Sequence, residues 1–167
     1  MSLPASLTGK AGELLEMCLL HGVSLTTAES CTGGLVAAAL TAIPGSSRVF
    51  ERGFVTYSNQ AKSDMLGVPA ALIEAHGAVS AEVARAMAEG ALIHSEADIS
   101  LSITGIAGPD GGTPAKPVGA VHIAAAQRGA VTLHRLFRFE GDRNSVREQA
   151  ALSAMELAIE RLCSFRR

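Results

Sequence analysis

Apolar residues recur along the chain with two periods, and the change from one period to the other divides the sequence into helices and strands. Spacings of three and four residues indicate helices, whereas alternation and short β-prone runs indicate strands. The pattern predicts helices over residues 7–22, 33–43, 59–65, 69–75, 80–94 and 143–163. It predicts strands over residues 23–29, 49–57, 99–104, 118–127 and 130–139, the last two forming a hairpin.

Helices and strands alternate along most of the chain, with helices at both ends. Such an order favours a sheet that is covered by helices on both faces. The sequence therefore predicts an α/β fold, a three-layer α/β/α sandwich with a mixed sheet. A length of 167 residues suits one domain with one main core, so the predicted domain spans residues 1–167.

Composition narrows the function classes mainly by exclusion. Hydrophobic residues make up 48% of the chain and charged residues 18%, which argues against disorder. The net charge is −2, aromatic residues are 4%, and the only basic block is Arg166-Arg167, so we expect no nucleic-acid partner. Without an apolar run of bilayer length or a signal pattern, we expect a cytoplasmic protein with no membrane contact.

The metal-binding residue types are scattered. The three cysteines are odd in number and widely spaced, and none of the five histidines forms an H-x-x-x-H pair. These spacings match neither a disulfide framework nor a zinc pattern. We therefore expect no metal and no cofactor.

Residues 27–34, TAESCTGG, separate a predicted strand from a predicted helix. A strand–turn–helix junction lifts a small hydroxyl side chain to the end of a sheet and places helix N-terminal amides beside it. Ser30 therefore occupies a suitable position for a nucleophile or a ligand-binding hydroxyl. The same residue types are ordinary helix caps, so both readings stay open for this segment alone.

Tyr57 and Lys62 form a second candidate pair. Lysine is rare here, with three lysines against eleven arginines, and only lysine can lose its proton when it is buried. A neutral lysine can activate a serine, although most helix lysines are simply solvated. The Tyr-x-x-x-Lys motif of short-chain dehydrogenases does not fit, because the spacing is one residue too long and no glycine fingerprint opens the chain.

Two further clusters suit an anion. The glycines of residues 104–119 do not follow the dinucleotide-binding order, and three prolines forbid a following helix, which predicts a long loop whose amides can face an oxygen atom. Asp142 is predicted to cap the last helix, with Arg143 and Arg147 on its first turns. Free amides and an arginine can bind phosphate or carboxylate, although a plain surface loop and a plain helix cap also fit.

Together these clusters resemble the CinA C-terminal domain family, the nicotinamide-nucleotide amidohydrolases, in its stand-alone form. The matching segments are AESCTGG (28–34), GFVTYSNQAK (53–62), GAVS (77–80), TGIAGPDGG (104–112), KPVGAV (116–121) and GDR-x3-R (141–147). The resemblance implies an α/β/α sandwich that hydrolyses the carboxamide of nicotinamide mononucleotide to nicotinate mononucleotide and ammonia, a step in pyridine-nucleotide salvage.

By position, Ser30 matches the family's nucleophile, and Tyr57 and Lys62 match its partners in proton transfer. Neutral Lys62 is expected to take the proton of Ser30, directly or through Tyr57, while amides at the start of the following helix stabilise the oxyanion. Expected substrate-binding residues are Thr32, Gly33, Gly34, Asn59, Thr104, Gly105, Gly108 and Arg143.

Alternatives remain at the level of the residues and of the whole domain. Cys31 is a rival nucleophile, and Glu29 either contacts ribose or supports the turn, the latter being favoured. A non-catalytic nucleotide-binding or sensor domain is the alternative function, and a homo-oligomer stays open.

Overall fold

A computed structural model describes residues 2–164, so the basic pair Arg166-Arg167 lies outside the described residues. The helices are α1 (Ala5–His21), α2 (Leu35–Thr41), α3 (Asn59–Leu66), α4 (Ala70–His76), α5 (Ala81–Ile93) and α6 (Arg143–Cys163). The strands are β1 (Leu25–Glu29), β2 (Phe50–Val55), β3 (Ile99–Gly105), β4 (Ala120–Gln127) and β5 (Leu133–Arg138). Every predicted element is present, with bounds that shift by a few residues, and an unpredicted 3₁₀ turn covers Ser46–Arg48.

The five strands form one mixed sheet in the order β2-β1-β3-β4-β5. Strand β1 runs parallel to β2 and β3, whereas β4 is antiparallel to both β3 and β5. Helices α1, α2 and α6 pack together on one face, and α3, α4 and α5 pack together on the other. The predicted three-layer α/β/α sandwich is confirmed. Within residues 2–164, no helix combines the length and the apolar character needed to span a membrane.

Polar side chains define where several helices begin. Ser58 caps α3, Ser80 caps α5 and Asp142 caps α6, each accepting the amide three residues further on, at 3.0, 3.3 and 2.8 Å respectively. These caps satisfy amides that lack a partner within the helix. The caps at Ser80 and Asp142 confirm the predicted starts of α5 and α6.

The two faces of the sheet pack differently, and the difference positions α3. Leu101 and Ile103 of β3 point into the large aliphatic core beneath α1, α2 and α6. On the opposite face, the hydroxyls of Ser100 and Ser102 donate to carbonyls of α5 at 2.5 Å. A Cβ atom at Gly90 of α5 would overlap the carbonyl of Leu66, so α3 lies directly against α5. This close packing fixes where α3 presents its side chains.

Strand β2 ends two residues earlier than predicted, and the reason bears on the site. The amide of Thr56 still donates to the carbonyl of Glu29 at 2.9 Å, but the chain then leaves the sheet for the Ser58 cap. Tyr57 therefore lies beyond the strand. The chain departs from β1 towards one face of the sheet and from β2 towards the other. Ligands of α/β sheets bind at such a divergence, outside the carboxyl ends of the strands.

Candidate active site

A cavity of about 290 Å³ opens at the carboxyl ends of β1, β2 and β3. Ser30 follows β1 directly, and its amide donates to the carbonyl of Ile103 at 3.0 Å, which ties the residue to β3. The cavity gathers eight of the predicted site residues from four separate segments. They are Ser30, Tyr57, Asn59, Lys62, Thr104, Gly105, Gly108 and Arg143.

Lys62 reaches the floor of this cavity from the first turns of α3. Only 1% of its surface is exposed, and its Nζ lies 3.0 Å from Oγ of Ser30 and 2.9 Å from the carbonyl of Thr56. None of the salt bridges among the described residues involves Lys62. Burial lowers the pKa of Lys62 below its ordinary value of 10.5, which favours the neutral amine. The alternative interpretation, in which Lys62 is a solvated lysine on a helix surface, is therefore wrong.

Glu29 holds the turn that follows Ser30 from below. Its carboxylate is fully buried and accepts the amides of Gly34, Val36 and Ala37 at 3.1, 3.1 and 2.9 Å. These amides form the start of α2, where a carboxylate is favoured by both hydrogen bonding and the helix dipole. The expected role of Glu29 in supporting the turn is confirmed.

The amides at the start of α2 are consequently unavailable to an oxyanion, which corrects the sequence-based expectation. Gly34 donates to Glu29, and Gly33 donates to the carbonyl of Ser30 at 3.0 Å. Thr32, Gly33 and Gly34 lie outside the lining of the cavity. The amides of Cys31 and Thr32, by contrast, reach no carbonyl and no side chain of another described residue. The amide that directly follows a nucleophile is a frequent oxyanion donor.

Cys31 lines the cavity but is poorly suited to be the nucleophile. Its side chain packs into the aliphatic core, and burial raises the pKa of its thiol to about 11. A protonated thiol is a weak nucleophile, since the thiolate is the reactive form. Ser30, with an amine at hydrogen-bonding distance, is the better-equipped neighbour.

Tyr57 and Arg143 meet at the rim of the cavity. Nη2 of Arg143 donates to the hydroxyl of Tyr57 at 2.9 Å, and its Nη1 donates to the carbonyl of Gly108 at 2.7 Å. Tyr57 is 60% exposed. Because Nζ of Lys62 contacts Oγ of Ser30 directly, a proton can pass between them in this arrangement without a relay through Tyr57.

The segment between β3 and β4 is a loop without helical turns, as predicted. Gly108 adopts a φ of 84°, and a Cβ atom there would lie 2.6 Å from Cγ1 of Val118, so the loop folds back on itself. Thr104, at the base of the loop, donates its hydroxyl to the carbonyl of Ala78 at 2.8 Å. The hydroxyl of Thr104 thus holds the cavity wall, while the carbonyl of Gly108 accepts from Arg143.

Arg147 is a residue whose position the sequence pattern did not reveal. Its Nε donates to the carbonyl of Cys31 at 3.2 Å, and its Nη2 donates to the carbonyl of Thr32 at 2.9 Å. Arg147 lies four residues after Arg143, so the two side chains leave the same face of α6. Only the packing of α6 against the turn shows that they reach different loops.

No group of three or more His, Cys, Asp or Glu side chains within residues 2–164 is placed to hold a metal ion. The site brings together a hydroxyl and a buried amine at the end of a sheet, beside two amides that donate to no other described residue. Such a set can perform nucleophilic attack on a carbonyl carbon.

Comparison with known proteins identifies the family. The model of the CinA C-terminal domain matches residues 7–162. The chain belongs to this family. Among curated relatives, a putative competence-damage inducible protein of Symbiobacterium thermophilum is 57% identical over 145 residues, covering 82% of this chain and 34% of the relative. A CinA-like protein of Geobacter sp. is 60% identical over 126 residues, covering 75% and 30%. The chain thus spans about a third of the length of these relatives.

Solved structures agree with the CinA assignment. The competence/damage inducible protein CihA of Agrobacterium tumefaciens superimposes with a TM-score of 0.94 at 45% identity, covering 98% of this chain and 100% of that one. A CinA superfamily protein of Escherichia coli gives 0.87 at 34% identity, covering 98% and 94%. The names of these CinA relatives specify no reaction, so an activity has to be argued from the site.

Proposed function

We propose that this CinA domain hydrolyses the carboxamide of nicotinamide mononucleotide to nicotinate mononucleotide and ammonia, as a step of pyridine-nucleotide salvage. The observation that carries the proposal is the buried amine of Lys62, 3.0 Å from Oγ of Ser30. Simple nucleotide binding needs neither a neutral lysine nor its contact with a serine hydroxyl. Membership of the CinA family supports the choice of substrate.

Acylation of Ser30 follows from the contacts between Ser30 and Lys62, the proposed catalytic dyad. With Lys62 neutral, one amine hydrogen donates to the carbonyl of Thr56, and the nitrogen lone pair accepts the proton of the Ser30 hydroxyl. Oγ then attacks the carboxamide carbon, and negative charge develops on the carboxamide oxygen. The amide of Cys31, next to the nucleophile, donates to no other described residue and supplies a fixed donor for this charge.

The same amine completes the cycle. Protonated Lys62 gives its proton to the carboxamide nitrogen, the C–N bond breaks, and ammonia leaves an ester on Ser30. Water then attacks this ester while Lys62 takes a proton from the water molecule. The proton returns to Oγ of Ser30 as the C–O bond breaks, the new carboxylic acid releases its remaining proton to solvent, and nicotinate mononucleotide leaves as a carboxylate.

The rim of the cavity suits the ribose phosphate. Arg143 is exposed there, and it keeps N–H groups beyond those that bind Tyr57 and Gly108. Guanidinium groups recognise phosphate oxygens by charge-assisted hydrogen bonds. Asn59, Thr104 and the glycine-rich loop complete the wall around the sugar.

Ammonia release from purified protein and nicotinamide mononucleotide tests the proposal. Wild type should release ammonia and nicotinate mononucleotide in equal amounts, Ser30→Ala should release neither, and Cys31→Ala should stay active as the neighbouring control. Binding of the nucleotide without turnover would favour a sensor. Loss of activity in Cys31→Ala with retention in Ser30→Ala would overturn the choice of nucleophile.

A further inference from the structure

The first two turns of α6 reach both loops of the cavity with two arginines. Arg143 points to the rim, where it donates to Tyr57 and Gly108. Arg147 lies one turn further along and donates to two consecutive carbonyls of the turn that carries Ser30. The proposed chemistry uses Arg143 for phosphate and leaves Arg147 without a role.

The contacts of Arg147 determine the orientation of a peptide unit. The Cys31–Thr32 bond is trans, so the carbonyl of Cys31 and the amide of Thr32 point in opposite directions. By holding that carbonyl at 3.2 Å, Arg147 turns the Thr32 amide away from the guanidinium. The bond from the Gly33 amide to the Ser30 carbonyl orients the Cys31 amide in the same manner.

Two side chains of opposite charge therefore hold the turn, one by accepting hydrogen bonds from amides and the other by donating to carbonyls. Glu29 accepts amides at the start of α2, and Arg147 donates to carbonyls directly after Ser30. Both groups stand on regular elements, β1 and α6, rather than on loops. Between them the backbone around Ser30 has little freedom to rotate, and the amides of Cys31 and Thr32 keep their directions.

We propose that Arg147 is a positioning residue that holds the Ser30 turn, and with it the nucleophile and its neighbouring amides, in the reactive geometry. The step that it assists is the attack on a carboxamide, so its role in turnover rests on the proposed function. A lysine cannot replace it, because one ammonium lacks the rigid set of donors with which a guanidinium binds two carbonyls.

Three variants and a reagent other than the substrate test this inference. Arg147→Ala and Arg147→Lys remove the paired contact. Arg161→Ala is the matched control, because Arg161 lies on the same helix and, among the described residues, its side chain donates to Oε1 of Gln127 alone, at 3.0 Å, away from the cavity. The readouts are kcat and KM for nicotinamide mononucleotide, the rate at which a fluorophosphonate labels Ser30, and the melting temperature.

We expect Arg147→Ala to lower both kcat and the labelling rate by roughly 10- to 100-fold, since small misplacements of reacting groups cost about this much. KM should change little, and free guanidinium ion should restore part of the labelling rate in Arg147→Ala but not alter Arg161→Ala. Arg147→Lys should remain slow even where its melting temperature equals that of the control.

The outcomes separate this inference from the proposed function. Labelling of Arg147→Ala at the rate of Arg161→Ala would overturn the positioning role, as would a slow rate that guanidinium leaves unchanged. If wild type releases no ammonia but its Ser30 labels rapidly, and Arg147→Ala labels slowly with rescue by guanidinium, the positioning role stands and the proposed reaction fails.

Discussion

The two loops that meet at the cavity are held in opposite ways. In the Ser30 turn, residues 30–32 are buried. The carbonyl of Ile103 and the carboxylate of Glu29 accept hydrogen bonds from the turn or its flanks, and Arg147 donates to it. In the glycine-rich loop, every residue from 109 to 115 is exposed. The proposed reacting groups thus stand on the buried side, and the exposed side is free to contact the rest of the proposed substrate. We therefore expect changes to the Ser30 turn to affect kcat, and changes to the glycine-rich loop to affect KM.

The largest effect is expected from changing Lys62, which lies at the buried floor of the cavity. Lys62→Arg should be as inactive as Lys62→Ala, because arginine keeps the charge but cannot accept a proton. Loss of a general base costs roughly 10²- to 10⁴-fold in kcat. Lys116→Arg is the matched control, since Lys116 donates to the carbonyl of His76 outside the dyad. A Lys62→Arg enzyme with most of its activity would show that Lys62 acts by charge alone.

The next effect concerns the support beneath the nucleophile. Glu29→Gln should lower the free energy of unfolding by about 1–3 kcal/mol, since an amide NH₂ would face backbone donors in a buried site. Thermal or urea unfolding measures this change, with Glu13→Gln as an exposed control. A stability equal to wild type would mean that the three amides do not depend on the carboxylate.

Changing Arg143 tests the exposed side. Arg143→Ala should raise KM for nicotinamide mononucleotide on the order of tenfold, because it removes the proposed charge-assisted hydrogen bond to phosphate. The riboside, which lacks the phosphate, should be affected far less. Steady-state kinetics on both substrates measure the difference. Equal losses would assign Arg143 to the structure of the helix start rather than to phosphate.

Tyr57→Phe should have the smallest effect of the series. The ring stays in place, and within residues 2–164 the hydroxyl that is lost accepts one hydrogen bond, from Arg143 at 2.9 Å. We expect a shift in KM no larger than that of Arg143→Ala and kcat close to wild type. A fall in kcat as large as that of Lys62→Arg would instead restore Tyr57 to the proton pathway.

The contrast between the loops also explains which features the sequence could predict. Helices and strands were predictable because periodicity reports burial along one short segment, and the caps at Ser80 and Asp142 are local signals. Ser30 and Lys62 were predicted as a pair by resemblance to the CinA family. Their 3.0 Å contact depends on how α3 packs against α5, which no local pattern encodes.

The contacts that the sequence pattern missed join residues far apart in the chain. Arg147 lies 116 positions from Cys31, and Arg143 lies 86 positions from Tyr57. The hydrogen bonds from the α2 amides to Glu29 were also only partly predicted. The sequence indicates free amides at the start of a helix, and only the structure shows that a buried carboxylate accepts them. Local propensity does not report such pairings.

The charge state of Lys62 also links activity to stability. The pKa of Lys62 in the folded protein lies below its ordinary value of 10.5. At a pH between the folded and the ordinary pKa, the unfolded chain therefore binds more protons than the folded one. Stability gained from this group therefore rises with pH across that interval and is lost as pH falls through the folded pKa. Unfolding experiments over the interval, with Lys62→Met as reference, measure the contribution.

The pH dependence of kcat/KM for ammonia release tests the central claim most directly, because it reports the ionisation of the free enzyme. The account predicts an acid limb whose pKa lies below 10.5, with activity falling as Lys62 gains its proton. The limb should be absent from the residual activity of Lys62→Ala. A profile without an acid limb, or one that Lys62→Ala leaves unchanged, would contradict the Ser30–Lys62 mechanism.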